Sequence, residues 1–217
     1  MQNNLKGGSF MENTDRDCLC CQTFRVNLNM AAVRSLKRRF IALDTETTGL
    51  SPKRERIIEI GAVLFENAQP VREFSTLINP GIPIPAASTK IHHITDDMVS
   101  DLPAETEAFY QFLEFCQSAG PGRIIFCAHN APFDFSFLKT SLNRLNIEAS
   151  FLYMDTLRLA RTHLRGLPNY KQETLELYLG LHNEKAHRAL SDAKVCGQIL
   201  ASMIPLMEQA CLAEENS

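Results

Sequence analysis

The sequence has no apolar run approaching the roughly 20 residues that a membrane-spanning helix needs. Its N-terminal stretch, MQNNLKGGSFMENTDRD, has no apolar segment of the kind that marks a secretory signal. There is no excess of positive charge: 22 Lys and Arg stand against 25 Asp and Glu, a net charge of −3. That argues against holding nucleic acid by bulk charge alone. It leaves open an enzyme that brings its positive charge as metal ions. Cys18, Cys20 and Cys21 have no second Cys or His pair at finger spacing, so a zinc reading is weak. The seven cysteines are odd in number and lack small-scaffold spacing, which reads as reduced thiols in a cytoplasmic protein with no membrane partner. No internal repeat or low-complexity tract is present.

What is present is an ordinary globular composition over 217 residues, 45% hydrophobic and 22% charged. Residues 1–36 are polar and without sustained periodicity, and are expected to be a mobile N-terminal extension. Residues 37–208 are expected to form the folded domain, and 209–217 a C-terminal tail. Short apolar or β-branched runs predict strands at Phe40 to Leu43, Arg56 to Phe65, Val71 to Asn79, Arg123 to Ala128 and Phe151 to Met154. Prolines 80, 83 and 85 break the chain after the third. The spacing of Phe109, Phe112, Leu113 and Cys116 predicts a helix over Thr106 to Ala119. Further helices are expected at Pro132 to Leu145, Asp155 to His163, Glu173 to Leu179 and Ser191 to Met207. Three consecutive strands, then strands alternating with helices, predict an α/β fold with a mixed sheet and helices on both faces.

The first predicted strand runs from apolar residues into Asp44, Thr45 and Glu46. Residues i and i+2 of a strand share a face, so both carboxylates point together. Alone, such a pair reads as a solvated turn. A second acid, Asp134, follows the strand that ends at Ala128 and lies near a helix start, where the macrodipole favours it. His129 and Asn130 are polar groups just past that strand end, where ligand sites of open α/β sheets gather. Asp192 lies in the first turns of the last helix, on or beside its apolar stripe, and an acid there needs a partner. His187 is five positions earlier and reaches the same cleft only if it precedes the helix. Each acid has an ordinary explanation by itself; four of them from three segments, each following or opening a core element, do not. A cluster of oxygen ligands suits Mg²⁺ or Mn²⁺ and not zinc.

The order D-x-E, then D, then H-x4-D resembles the DEDD superfamily of 3′–5′ exonucleases, in its histidine subgroup. "DTETTGL", "HNAPFD" and "HRALSDA" look like its three motifs. "RIIEIGAV", "LINP", "IHHIT" and "YKQETLELYLGL" also resemble the proofreading (epsilon) subunit of bacterial DNA polymerase III and its free-standing relatives. The resemblance covers about Arg38 to Met207. It implies a ribonuclease-H-like three-layer fold with a five-stranded mixed sheet. It implies two divalent metals, Mg²⁺ or Mn²⁺, on Asp44, Glu46, Asp134 and Asp192, with His187 as general base. Two metals about 4 Å apart serve the attacking and leaving oxygens separately. Leu50 and Phe133 would stack on the terminal nucleotide, with Phe133 equally readable as core packing. His92 matches the histidine of the family's I-H-G-I-T stretch, which contacts the terminal nucleotide; Asn130 stands in the second motif. Two positions depart from the pattern: the glycine is His93, and a glutamate often found five positions before the first histidine is Ala87.

The implied activity is hydrolysis of DNA from single-stranded or frayed 3′ ends to nucleoside 5′-monophosphates, in proofreading or repair, with a DNA polymerase subunit as a possible partner. An RNA-trimming exonuclease of the same superfamily fits the motifs too, since that choice rests on contacts to the sugar 2′ position. A non-catalytic polymerase accessory does not account for four crowded carboxylates.

Overall fold

The computed structural model describes residues 21–183 and 185–215. Six strands and eight helices follow in the order β1 (Cys21–Arg25), α1 (Met30–Arg38), β2 (Arg39–Thr47), β3 (Ile57–Glu66), β4 (Gln69–Leu77), α2 (Ala86–His92), α3 (Asp96–Val99), α4 (Glu105–Ser118), β5 (Ile125–Ala128), α5 (Pro132–Arg144), β6 (Ala149–Asp155), α6 (Thr156–His163), α7 (Gln172–Leu179) and α8 (Ala189–Glu215). They form one sheet in the order β1-β6-β5-β2-β3-β4. β1, β6, β5 and β2 are parallel, and β3 and β4 return antiparallel to their neighbours. β2 therefore lies inside the sheet, and its apolar side chains meet a helical layer on either face.

Period-two alternation along β2 assigns its residues to two cores. Phe40 and Ala42 belong to the cluster shared with α1, α6 and α8, while Ile41 and Leu43 belong to the cluster shared with α4 and α5. Phe40 stacks on Phe65 of β3 at 4.8 Å between ring centroids. α8 lies close on the sheet because two glycines permit it. A Cβ on Gly61 would come within 2.1 Å of the Ala189 carbonyl carbon, and one on Gly197 within 2.1 Å of the Phe65 ring. Against the expectation that no apolar run approaches a membrane span, α8 is by length and composition the one helix among the described residues apolar enough to cross a membrane; here its apolar side is buried on the sheet.

Several expectations are corrected. The sheet has six strands, not five, and the expected extension over 1–36 is structured from Cys21 onward. Cys21 is buried and pairs with Ala149 at the start of a parallel ladder between β1 and β6. Asn29 caps α1, its side chain accepting from the Ala32 amide at 2.9 Å, and Val33 and Leu36 enter the core. β1 pairs only with the distant β6, so local pattern did not show it; α1 did carry a signal, Ala32, Val33 and Leu36 on one face after the Asn29 cap. Cys18 and Cys20 lie outside the described residues. The expected tail over 209–217 is helical as far as Glu215, with Cys211 buried. Between the prolines and α4 the chain forms two short helices, α2 and α3, where only breaks were expected. β2 is longer than its apolar run, because β3 keeps pairing with it: Asp44 opposes Gly61 and Glu46 opposes Glu59.

Candidate active site

The same alternation that divides the core builds the site. Asp44 and Glu46 continue the Phe40–Ala42 face of β2, toward α8, and Asp192 lies in the first turn of α8. One carboxylate oxygen from each of Asp44, Glu46 and Asp192 lies within 4.8 Å of the other two, and all three residues are half-buried. Thr45, between them, faces the other layer. There it meets buried Asp134 of α5, whose Oδ1 accepts from the Thr45 amide at 3.1 Å and the Thr45 hydroxyl at 2.8 Å. Asp134 thus approaches the end of β2 from the opposite side and is anchored to its backbone.

Burial raises the proton affinity of all four acids, and repulsion from neighbouring carboxylates adds to it. Asp44 is pushed well above the ordinary carboxylate range by burial first, then by Asp134, Glu46 and Asp192. Glu46 is raised to about 8 by burial, with Asp192, Glu59 and Asp134 adding and Arg188 opposing. Asp134 is raised to about 7 by burial, against the two bonds from Thr45. Asp192 is raised by burial, against its bonds from Asn183 and His187. Crowded, half-buried carboxylates that bind protons this tightly fit a divalent cation, which relieves burial and repulsion together. The all-oxygen donor set suits a hard ion.

Asp192 is held on both oxygens. Asn183 donates to Oδ1 at 2.6 Å, and the His187 amide donates to Oδ2 at 3.0 Å. Gln172 at the start of α7 donates to the Asp192 carbonyl at 3.1 Å. His187 does precede the helix. It adopts left-handed backbone, φ 62°, which aims its amide at Asp192 while the residue itself stays exposed.

The start of α8 is fixed by a pair that sequence reading did not single out. Glu59 of β3 is only 1% exposed. Its carboxylate accepts from Arg188 Nη2 at 2.7 Å, from Arg188 Nε at 3.1 and 3.2 Å, and from the Ala189 amide at 3.1 Å. Glu59 directly opposes Glu46 on β2, so the guanidinium also offsets a like-charge pair across the ladder. The available signal was an acid set between Ile58 and Ile60.

The remaining expected residues differ in exposure. Leu50 is 86% exposed and so is not core. Phe133 is half-buried against Phe137, ring centroids 5.0 Å apart. Asn130 is exposed with φ 66°, and its amide donates to Asp155 at 3.0 Å. His92 is buried; its Nδ1 accepts from the Ile94 amide at 3.0 Å, and its Nε2 has no partner. α2, which carries it, is tied to the strand end by Ser88, whose hydroxyl donates to the Thr48 carbonyl at 2.9 Å. His129 is committed to structure: Nδ1 pairs with Thr156 at 3.0 Å and Nε2 with the Tyr170 carbonyl at 2.9 Å.

The RNase T exonuclease family profile matches residues 41–200. The chain is 40% identical over 168 residues to the DNA polymerase III subunit epsilon of Treponema pallidum (strain Nichols), covering 76% of each chain. It is 39% identical over 175 residues to the PolC-type DNA polymerase III of Caldanaerobacter subterraneus subsp. tengcongensis; that match covers 81% of this chain and 12% of the polymerase. Among solved structures, exonuclease X in complex with 5′ overhanging duplex DNA superposes with a TM-score of 0.58 at 27% identity, over 79% of this chain and 92% of that one. Escherichia coli exonuclease I with a dT13 oligonucleotide shares the fold, TM-score 0.69 at 17% identity, over 82% of this chain and 43% of that one.

Proposed function

We propose that this chain, which belongs to the DEDD family of 3′–5′ exonucleases, removes nucleotides from the 3′ end of DNA as 5′-monophosphates, in proofreading or repair. The observation that carries the reading is the meeting of Asp44, Glu46 and Asp192 within 4.8 Å at the end of the central strand, with buried Asp134 behind Thr45. Asp44, Glu46, Asp192 and Asp134 would hold Mg²⁺ or Mn²⁺, two ions, which when bound supply Lewis-acid stabilisation of the attacking and leaving oxygens.

His187 takes the proton from the attacking water. An exposed imidazole is a suitable acceptor for that proton. Its left-handed backbone ties it to Asp192, so base and ligand move as a unit. The terminal nucleotide needs groups that orient it without reading its sequence. Leu50 is an exposed apolar side chain suited to the face of a base, and Phe133 offers an aromatic edge beside Asp134. His92 would turn toward the terminal sugar hydroxyl, its buried Nε2 being without a partner among the described residues, and Asn130 would meet a phosphate or base edge. Such a site accepts one unpaired nucleotide, so single-stranded or frayed ends react faster than blunt duplex. Association with a replicative polymerase is a finer reading of the likeness to the epsilon subunit, tested by co-purification with a polymerase catalytic subunit.

The deciding experiment offers matched single-stranded DNA and RNA, labelled at the 5′ end, to the protein with Mg²⁺ or Mn²⁺. A ladder shortening from the 3′ end of DNA, with nucleoside 5′-monophosphate released, is the expected result. Internal cuts, or shortening of RNA alone, would count against it.

A further inference from the structure

Next to the acidic centre the surface changes sign. From Leu157 to Gln172 the chain reads LRLARTHLRGLPNYKQ, which contains Arg158, Arg161, Arg165 and Lys171 and no acid. All four are exposed, and Arg161, Arg165 and Lys171 take part in no ion pair among the described residues. Arg158 is different, since it lines a recess together with Asp155 and Glu214.

This segment is pinned to the centre at two points. Tyr170 accepts from His129 through its carbonyl at 2.9 Å, and His129 adjoins Asn130. Gln172 donates to the Asp192 carbonyl at 3.1 Å, one residue after Lys171. Between them the loop is closed on itself, the Tyr170 hydroxyl donating to the Leu164 carbonyl at 3.2 Å. Lys171 therefore stands between two residues pinned to the centre, Arg165 adjoins the braced Leu164, and Arg161 lies one turn earlier on α6, close enough to His129 to act on it electrostatically. Asp155, at the start of α6, is occupied by the amides of Asn130, Ala131 and Leu157 at 3.0, 3.3 and 3.1 Å.

We propose that Arg161, Arg165 and Lys171 form the track for the phosphodiester backbone of a single strand whose 3′ end lies in the acidic centre. The proposal rests on the exonuclease reading and adds where the rest of the strand runs. A chain of net charge −3, with four acids at its centre, repels every phosphate except one facing a metal. Unpaired cations on a segment that starts beside that centre at Lys171 and leads away through Arg165 and Arg161 offset the repulsion for the phosphates that follow, without reading sequence.

The test uses the variant Arg161→Gln/Arg165→Gln/Lys171→Gln and two substrates: 5′-labelled oligothymidylate, and the p-nitrophenyl ester of thymidine 5′-monophosphate, which has no upstream phosphate. Each phosphate contact adds about 0.7 to the slope of log affinity against log salt for single strands, so the slope of log kcat/KM should shrink by about 2 in the triple variant and by about 0.7 in each single variant. The single variants carry the test should the triple variant fold poorly. Hydrolysis of the ester should stay within about twofold. Arg34→Gln/Lys37→Gln/Arg38→Gln changes the net charge equally on α1. Its end lies at the β3–β4 turn, where the Asn67 amide donates to the Arg38 carbonyl at 3.1 Å, away from the acids. That variant should keep the wild-type slope. An unchanged slope in the rim variants, an equal fall in the α1 variant, or an equal loss on the ester overturns the proposal. If the wild-type protein cleaves neither substrate, the exonuclease reading fails and the track with it.

Discussion

Replacing Asp44 with Asn should stabilise the metal-free protein while abolishing its activity. Three carboxylates have oxygen atoms within 4.8 Å of one another. At that distance two full charges repel by about 3.5 kcal/mol at an effective dielectric of 20. The folded protein avoids most of this by binding protons, Glu46 titrating at about 8 and Asp134 at about 7. The gain from removing Asp44 is therefore smaller than the bare repulsion: about 1–2 kcal/mol at pH 7, or a rise of about 2–8 °C in Tm for a chain of this size. It should grow with pH as the neighbours lose their protons.

The pH dependence gives the sharper test. All four acids have folded-state pKa values above the unfolded ones, so the folded state binds protons that the unfolded state has released. Their contribution is fully present below about pH 4 and is lost as pH rises through the folded values, to about 8 for Glu46. Buried His92 and half-buried His129 have lowered pKa values and act in the opposite sense, but only below about 6.5. Between pH 6.5 and 8.5 in chelator, the wild-type Tm should fall, and that of Asp44→Asn should fall less. Saturating Mg²⁺ or Mn²⁺ should raise the wild-type curve and flatten it. Differential scanning calorimetry reads all three. A wild-type Tm that is flat or rising over that window, or a variant less stable than wild type at pH 8, would refute the account of the acids as mutually repelling ligands.

His187→Ala removes the proposed base and none of the proposed ligands, so turnover should drop about 10²- to 10⁴-fold while metal still raises the Tm; loss of that metal response would mean His187 also holds metal. Arg188→Ala leaves buried Glu59 without its bidentate partner and should cost about 3 kcal/mol or more in urea unfolding, with Arg188→Lys recovering only part; an unchanged midpoint would show the pair to be incidental. Gly61→Ala drives a Cβ into the backbone of Ala189 and Leu190, so it should lower kcat and metal affinity together by shifting the helix that carries Asp192. Deleting residues 1–29 strips β1 and the cap of α1, and should lower the Tm measurably; a Tm equal to the full chain would mean that the ladder from Cys21 to Arg25 contributes nothing.

The acids were legible because each interrupts an apolar pattern. Asp44 and Glu46 end a buried run at period two, and Asp192 sits on the stripe of a core helix. Glu59 was equally anomalous, between Ile58 and Ile60, but its partner Arg188 is remote in sequence and only the fold brings them together. β1 escaped for the same reason, since a five-residue parallel strand has no hairpin partner and pairs only with the late strand β6. α2 was hidden by Pro85 and its neighbours, which read as breaks although Pro85 stands at the cap of the helix. Gln172 and Asn183 carried no signal, because polar residues in helix starts and loops are ordinary until a buried carboxylate is found facing them.

The site is assembled from both sides of one strand, and this has a mechanical consequence. Asp44 and Glu46 face α8, whereas Thr45 reaches through to Asp134 on α5. β2 supplies all three consecutive residues, so its own position is fixed by the sheet alone. The distances across the site, however, are set by how closely each helical layer approaches. On the α8 side that approach depends on Gly61 and Gly197 and on the Glu59–Arg188 pair. On the α5 side it depends on Phe135, which packs against Phe126 at 6.1 Å and Tyr153 at 4.5 Å. None of these residues needs to touch substrate for its loss to alter chemistry, because displacing either layer separates carboxylates that act only when close. Substitutions in the α8 contacts should therefore weaken metal binding through Asp192 and leave the Thr45–Asp134 bonds intact, and substitutions at Phe135 should do the reverse.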